Sequence, residues 1–132
     1  MNGVDGRRQH EVLLFSFGFK YGVPEEVNLL LDVRFLPNPY WEEGMRHLTG
    51  QHEAVAAYVL ESEEGRQFLS HLGPLVQFMV EGYRRAKKMP VRIGIGCTGG
   101  YHRSVAVVEW LGRLLASEGL CLQVAHRDMD KE

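Results

Sequence analysis

The stretch from Val91 to Ser117 constrains the fold more than any other part of the chain. Val91 to Gly96 is a short apolar run, and Cys97-Thr98-Gly99-Gly100-Tyr101-His102 follows it. Arg103 to Ser117 then places Val105, Val107, Val108, Trp110, Leu111, Leu114 and Leu115 on most sides of a helix. Its polar strip is narrow and includes Glu109 and Arg113, an i,i+4 pair. Such a helix packs largely buried against a sheet, and Gly119 supplies its stop. A buried strand, a glycine-rich turn and a buried helix in that order point to an α/β protein.

The rest of the chain repeats the alternation. Glu11 to Phe17, Leu29 to Val33 and Cys121 to Ala125 read as further buried strands. Pro24, Glu25 and Glu26 open a short helix between the first two. Thr49 is the expected N-cap of a helix from about Gln51 to Leu60. Phe68, Leu72, Leu75, Val76, Met79 and Tyr83 form one apolar stripe at helical spacing, with a kink or a split expected at Gly73-Pro74. Strand, short helix, strand, helices, strand, helix, strand is the order of a three-layer α/β sandwich on a mostly parallel sheet of about four strands.

Composition narrows the function classes. The 132 residues, 45% hydrophobic and 24% charged, suit one globular domain over 11–132, preceded by a flexible tail over 1–10. No apolar run approaches the roughly 20 residues of a membrane span, and the polar N-terminus lacks a secretory signal. Two cysteines, Cys97 and Cys121, make no disulfide framework, and no Cys/His cluster suggests a metal. The expectation is a cytoplasmic protein with no metal or other cofactor. A net charge of −2 excludes a uniformly basic nucleic-acid coat.

In parallel sheets ligands sit beyond the carboxyl ends of the strands. Three loops lie there. The strongest is Gly96 to Ser104. Its glycines permit a tight turn, the helix start offers N–H groups and a positive dipole end, and Arg103 adds a bidentate fork. Thr98 and Ser104 add hydroxyls, and His102 donates a further hydrogen bond when protonated. Together these suit a phosphate monoester, although a capped glycine turn with a paired arginine is the plainer reading. The Gly-Lys-Ser/Thr ending of a nucleotide-binding Walker loop and the dinucleotide fingerprint are both missing.

Cys97, Gly100, Arg103 and Ser104 also match the CxxGxxR[ST] spacing of cysteine-dependent phosphatases. There Cys97 is the nucleophile and Asp32 the general acid, but Gly96 stands where that family has His. A small buried cysteine in a turn is the alternative.

The second loop, Asp32 to Thr49, runs extended through Leu36-Pro37-Asn38-Pro39 and is long enough to be a binding loop or lid. Asp32 and Arg34 reach a ligand there or pair locally to fix the loop. The third, Ser16 to Gly22, brings Lys20 towards the same pocket, with Phe17 and Phe19 as core or pocket wall. Arg84, Arg85, Lys87 and Lys88 are a candidate nucleic-acid patch or, more simply, cations at a helix C-terminus. His126 and Arg127 are pocket elements or a polar strand end.

At these loops the sequence resembles the C-terminal domain of the RapZ (YvcJ-like) family of nucleotide-binding proteins. Phe15 to Gly22, Asp32 to Pro39, Leu48 to Gly50, Gly94 to Gly100, His102 to Val105 and His126-Arg127 carry the likeness. It covers most of the chain but not the family's kinase-like N-terminal domain. The resemblance implies a phosphofructokinase-subdomain-like fold that self-associates and binds glucosamine-6-phosphate. It also implies a metabolite sensor or RNase adapter presenting small RNAs, rather than an enzyme. Carried onto this chain, the ligand-binding residues are Asp32, Arg34, Asn38, Thr98, Gly99, Gly100, Tyr101, His102, Arg103, Ser104, His126 and Arg127. Where RNA-binding members end in lysines and arginines, this chain has Asp128-Met129-Asp130-Lys131-Glu132, and Tyr101 stands where a basic residue is common. Both changes weaken attraction to an RNA backbone.

Overall fold

A computed structural model describes residues 10–132. Residues 1–9, where most of the expected tail falls, lie outside the described residues. Four strands form one sheet: β1 (Val12–Gly18), β2 (Leu29–Asp32), β3 (Val91–Cys97) and β4 (Leu122–His126). Three helices accompany it: α1 (Glu53–Leu60), α2 (Glu63–Arg85) and α3 (Arg103–Ser117). The strand order is β2-β3-β1-β4 and every pairing is parallel. This is the α/β layered architecture that the alternation of segments predicts, with each strand within one residue of its expected position.

Register sorts the strands into two faces. Val12 pairs with Val91, Leu14 with Ile93 and Leu29 with Ile93, so these side chains share one face. They form the core with Val107, Val108, Leu111 and Leu115 of α3, Val55 and Val59 of α1, and Leu72, Val76 and Val80 of α2. The opposite face carries Phe15 and Phe17, whose rings lie over Gly94 and Gly96 and fill the space a Cβ would need. Phe19 packs edge-on to Phe17 at 4.9 Å on this same face. Phe17 is fully buried and does not line the cavity described below, so it is core rather than pocket wall.

Four expectations need correction. Pro24-Glu25-Glu26 forms bends, not a helix, and the turn of helix in this region is a 3-10 turn at Phe19–Tyr21. The segment is held at both ends instead: Arg127 Nη2 donates to Gly22 O at 2.7 Å, and Asn28 Oδ1 accepts from Arg92 N at 2.7 Å. His52, not Thr49, is the N-cap of α1, its Nδ1 accepting from Ala54 N at 3.2 Å. Thr49 Oγ1 accepts from Gln51 N one turn earlier.

The helix α2 is not split. It runs unbroken through Pro74, and Ser70, whose carbonyl loses its i+4 donor there, is solvent-exposed. Gly73 sits against Leu114 and Trp110 of α3, where a Cβ would find 3.2 and 3.4 Å. Leu75, expected in the buried stripe, is 46% exposed on the helix flank. No helix among the described residues is long and apolar enough to cross a membrane.

Candidate functional site

The carboxyl ends of β1 and β3 converge where the turn after β3 meets α3. Gly100 has φ +74°, and a Cβ there would lie 2.6 Å from Gly18 N and 2.8 Å from Phe17 C. Only glycine lets the turn rest on the end of β1. Gly50 N donates to Tyr101 O at 2.9 Å, and a Cβ on Gly50 would approach Ala106 N at 2.5 Å. The Leu48-Thr49-Gly50 segment is therefore a brace pressed against the start of α3.

A cavity of about 430 Å³ opens above this turn, within the range of small-molecule sites. It is lined by Cys97, Thr98, Gly99, Tyr101, His102 and Arg103, by Asn38, Tyr40 and Trp41 of the second loop, and by Lys20 and Glu132. Gly100 and Ser104 are buried beneath the same turn.

At the floor, Arg103 is only 6% exposed. Its Nη1 donates to Arg34 O at 2.7 Å and to Leu36 O at 3.3 Å. Its Nε, among the described residues, is the one buried side-chain nitrogen or oxygen with no hydrogen-bond partner. Among the described residues, Arg103 also forms no ion pair with a carboxylate. Burial pulls its pKa down, opposed by the nearby Cys97 and Asp32. A buried guanidinium with an idle donor at a helix N-terminus has a hydrogen bond left to give.

Cys97, 3% exposed, receives two contacts from Ser104: the backbone N–H at 3.4 Å and the hydroxyl at 3.2 Å from Sγ. His102 is buried, and its Nε2 lies 2.8 Å from Arg46 O. A carbonyl only accepts, so Nε2 carries the proton. Burial lowers the pKa of this imidazole, so the free protein holds it neutral at pH 7. Tyr101 donates its hydroxyl to His47 O at 2.7 Å.

Four candidates are placed differently. Asp32 and Arg34 form a bidentate pair, Arg34 Nε at 2.9 Å and Nη2 at 2.7 Å from the carboxylate, with the guanidinium over the Phe19 ring at 4.1 Å. They border Arg103 but do not line the cavity. Hydrogen bonds from Arg34 hold the Asp32 carboxyl below its usual range. His126 is held between Ser16 Oγ at 2.7 Å and Glu109 Oε2 at 2.8 Å, on the α3 side of the sheet. Arg127 is forked onto Asp128 and Gly22 O. Asn38 lines the cavity, and its Oδ1 accepts from Tyr40 N at 3.1 Å to start a 3-10 turn at Pro39–Trp41.

Lys20, noted in the sequence, and the exposed Trp41 reach the cavity, but Glu132 carried no signal there. Its position depends on the fold of the last six residues.

Among the basic run, Arg84 pairs with Glu11 at 3.1 Å and with Glu81, and Arg85 with Glu81 at 3.6 Å, in the last turn of α2. No cluster of His, Cys, Asp and Glu suited to a metal is present among the described residues.

The fold is that of an α/β domain with a glycine-rich turn at the carboxyl end of its parallel sheet. The sequence profile of the RapZ C-terminal domain matches residues 10–130, and the chain belongs to that family. It is 48% identical over 131 residues to a nucleotide-binding protein of Mycobacterium ulcerans, covering 98% of this chain and 43% of that protein. It is 47% identical to the nucleotide-binding protein of Mycobacterium tuberculosis strain H37Rv, of which it covers 44%. The chain thus spans less than half the length of these relatives.

Proposed function

We propose that this domain binds a phosphorylated small molecule of the amino-sugar phosphate class, such as glucosamine-6-phosphate, with its phosphate at the Thr98–Ser104 loop. The observation that carries this reading is the buried Arg103, whose Nε has no partner among the described residues, at the N-terminus of α3. A phosphate oxygen would supply that partner and the missing counter-charge. Trp41, 72% exposed at the cavity wall and edge-on to Tyr40 at 5.0 Å, offers a flat apolar surface to the rest of the ligand.

The domain then acts in the cytoplasm as a metabolite sensor or RNA/RNase adapter within a homo-oligomer, an assignment that rests on family membership. Arg84, Arg85, Lys87 and Lys88 are the surface offered to RNA, although two of them are engaged with glutamates. Titration with a hexosamine phosphate by calorimetry tests the ligand. Filter binding of a structured RNA at two salt concentrations tests the adapter role.

One observation favours a second reading, a cysteine-dependent phosphatase. The backbone N–H of Ser104 points at Cys97 Sγ and its hydroxyl lies 3.2 Å from the same sulfur, at the base of the loop. Against it, the Phe17 and Phe19 rings fill the space beside Gly96 where such enzymes carry His. The general-acid candidate Asp32 is locked onto Arg34. Aryl phosphate hydrolysis by wild type but not by Cys97→Ser would favour this reading over the first.

A further inference from the structure

The segment after β4 folds back over the carboxyl ends of the strands. Asp128 is fully buried and anchors it, accepting from Gly18 N, Arg127 and Lys131, each at 2.7 Å. These bonds deliver Glu132 to the cavity wall. Its carboxylate pairs with Lys20 Nζ at 2.7 Å and accepts the Tyr21 hydroxyl. It also rests on the glycine turn, since a Cβ on Gly99 would stand 2.7 Å from Glu132 Oε1.

Glu132 is therefore a negative charge already seated on the loop that has the features of an anion site, and it engages the lysine at that site. Lys20 and Tyr21 hold its carboxyl below the usual range, so it stays ionised through neutral pH. A dianionic phosphate on the Thr98–Ser104 turn would meet this carboxylate at close range, with opposing charge and a shared cation.

We propose that Glu132 is an internal competitor for the anion site, a latch that an incoming phosphate displaces while taking over Lys20 and Tyr21. This rests on the reading of the loop as an anion site given above. The latch sets the affinity of the site: ligands are admitted only when their contacts with the loop and Arg103 exceed those of the resident carboxylate. Asp128 holds the latch in reach without entering the cavity.

The test is calorimetric titration of the full chain with inorganic phosphate, using wild type, Glu132→Gln and Arg103→Ala. Glu132→Gln keeps the shape and removes the charge, and it should bind phosphate at least tenfold more tightly than wild type. A second readout is the amide spectrum: without phosphate, Glu132→Gln should shift the Gly99 and Lys20 resonances in the direction that saturating phosphate shifts them in wild type. Equal or weaker binding by Glu132→Gln, with binding lost in Arg103→Ala, overturns the latch and leaves the anion site standing. No phosphate binding by either wild type or Glu132→Gln overturns both.

Discussion

The Asp128 carboxylate accepts the backbone N–H of Gly18 at 2.7 Å, joining residues 110 apart in the chain. It ties the end of β1 to the segment after β4, and so fixes one wall of the cavity. Burial raises its pKa, but hydrogen bonds from Arg127, Gly18 and Lys131 outweigh that and bring it down to about 2.

A carboxylate whose folded pKa lies below the unfolded value of 3.8 stabilises the fold fully above about pH 4. That contribution, about 2 kcal/mol at 1.36 kcal/mol per pKa unit, is lost as pH falls from 4 towards 2. Asp128→Asn should cost about 2–4 kcal/mol at pH 7, because Arg127 and Lys131 lose their partner. In urea unfolding, the gap between wild type and variant should narrow as pH is lowered from 5 to 3. A gap independent of pH would show that the charge of Asp128 is not what stabilises the fold.

Gly100→Ala tests the turn. At φ +74°, with Gly18 N only 2.6 Å from the added Cβ, the substitution meets both backbone strain and a backbone clash. A loss of about 2–4 kcal/mol of stability is expected, with phosphate binding abolished even where the protein remains folded. Gly44, whose Cβ would meet nothing within 4 Å, is the control, and Gly44→Ala should change stability by less than about 0.5 kcal/mol.

His102 should take up a proton when the ligand binds. Its folded pKa is lowered by burial, so the free protein holds it neutral at pH 7. A phosphate beside it favours the imidazolium and raises that pKa. Calorimetry in buffers of different ionisation enthalpy should give a proton uptake of a fraction of one proton, larger near pH 6.5 than near pH 8. His102→Asn should remove it. Proton release, or no linkage, would place the anion away from His102.

The sheet, its four strands and the helix after Gly100 were legible because short apolar runs and a helix apolar nearly all round leave no other packing. The turn before that helix was legible because glycine spacing is a local feature of the sequence. What could not be read depends on tertiary contacts. Leu75 and Val76 look alike as letters, and only the pressing of Gly73 against Trp110 and Leu114 decides which of them faces inward. Asp32 and Arg34 were read either as ligands or as local pairs that fix the loop, and the spacing did not announce that they fork onto each other. His126 has two partners, on β1 and α3, that no spacing announces. Glu132 read as part of an acidic, repulsive tail, whereas its charge is matched by Lys20, and that of Asp128 by Arg127 and Lys131.

The central claim is that Arg103 is a buried cation waiting for a phosphate, and calorimetric titration with a hexosamine phosphate against wild type, Arg103→Lys and Arg103→Ala tests it most directly. Amide spectra serve to confirm that each variant is folded. Losing a charge-assisted fork should cost about 2–4 kcal/mol, a weakening of Kd of roughly thirty-fold to nearly a thousand-fold in Arg103→Ala. Arg103→Lys should recover only part, because a point charge cannot reproduce the planar fork. Undiminished affinity in a folded Arg103→Ala protein would contradict the account, since the ligand would then be held without the group whose idle donor defines the site.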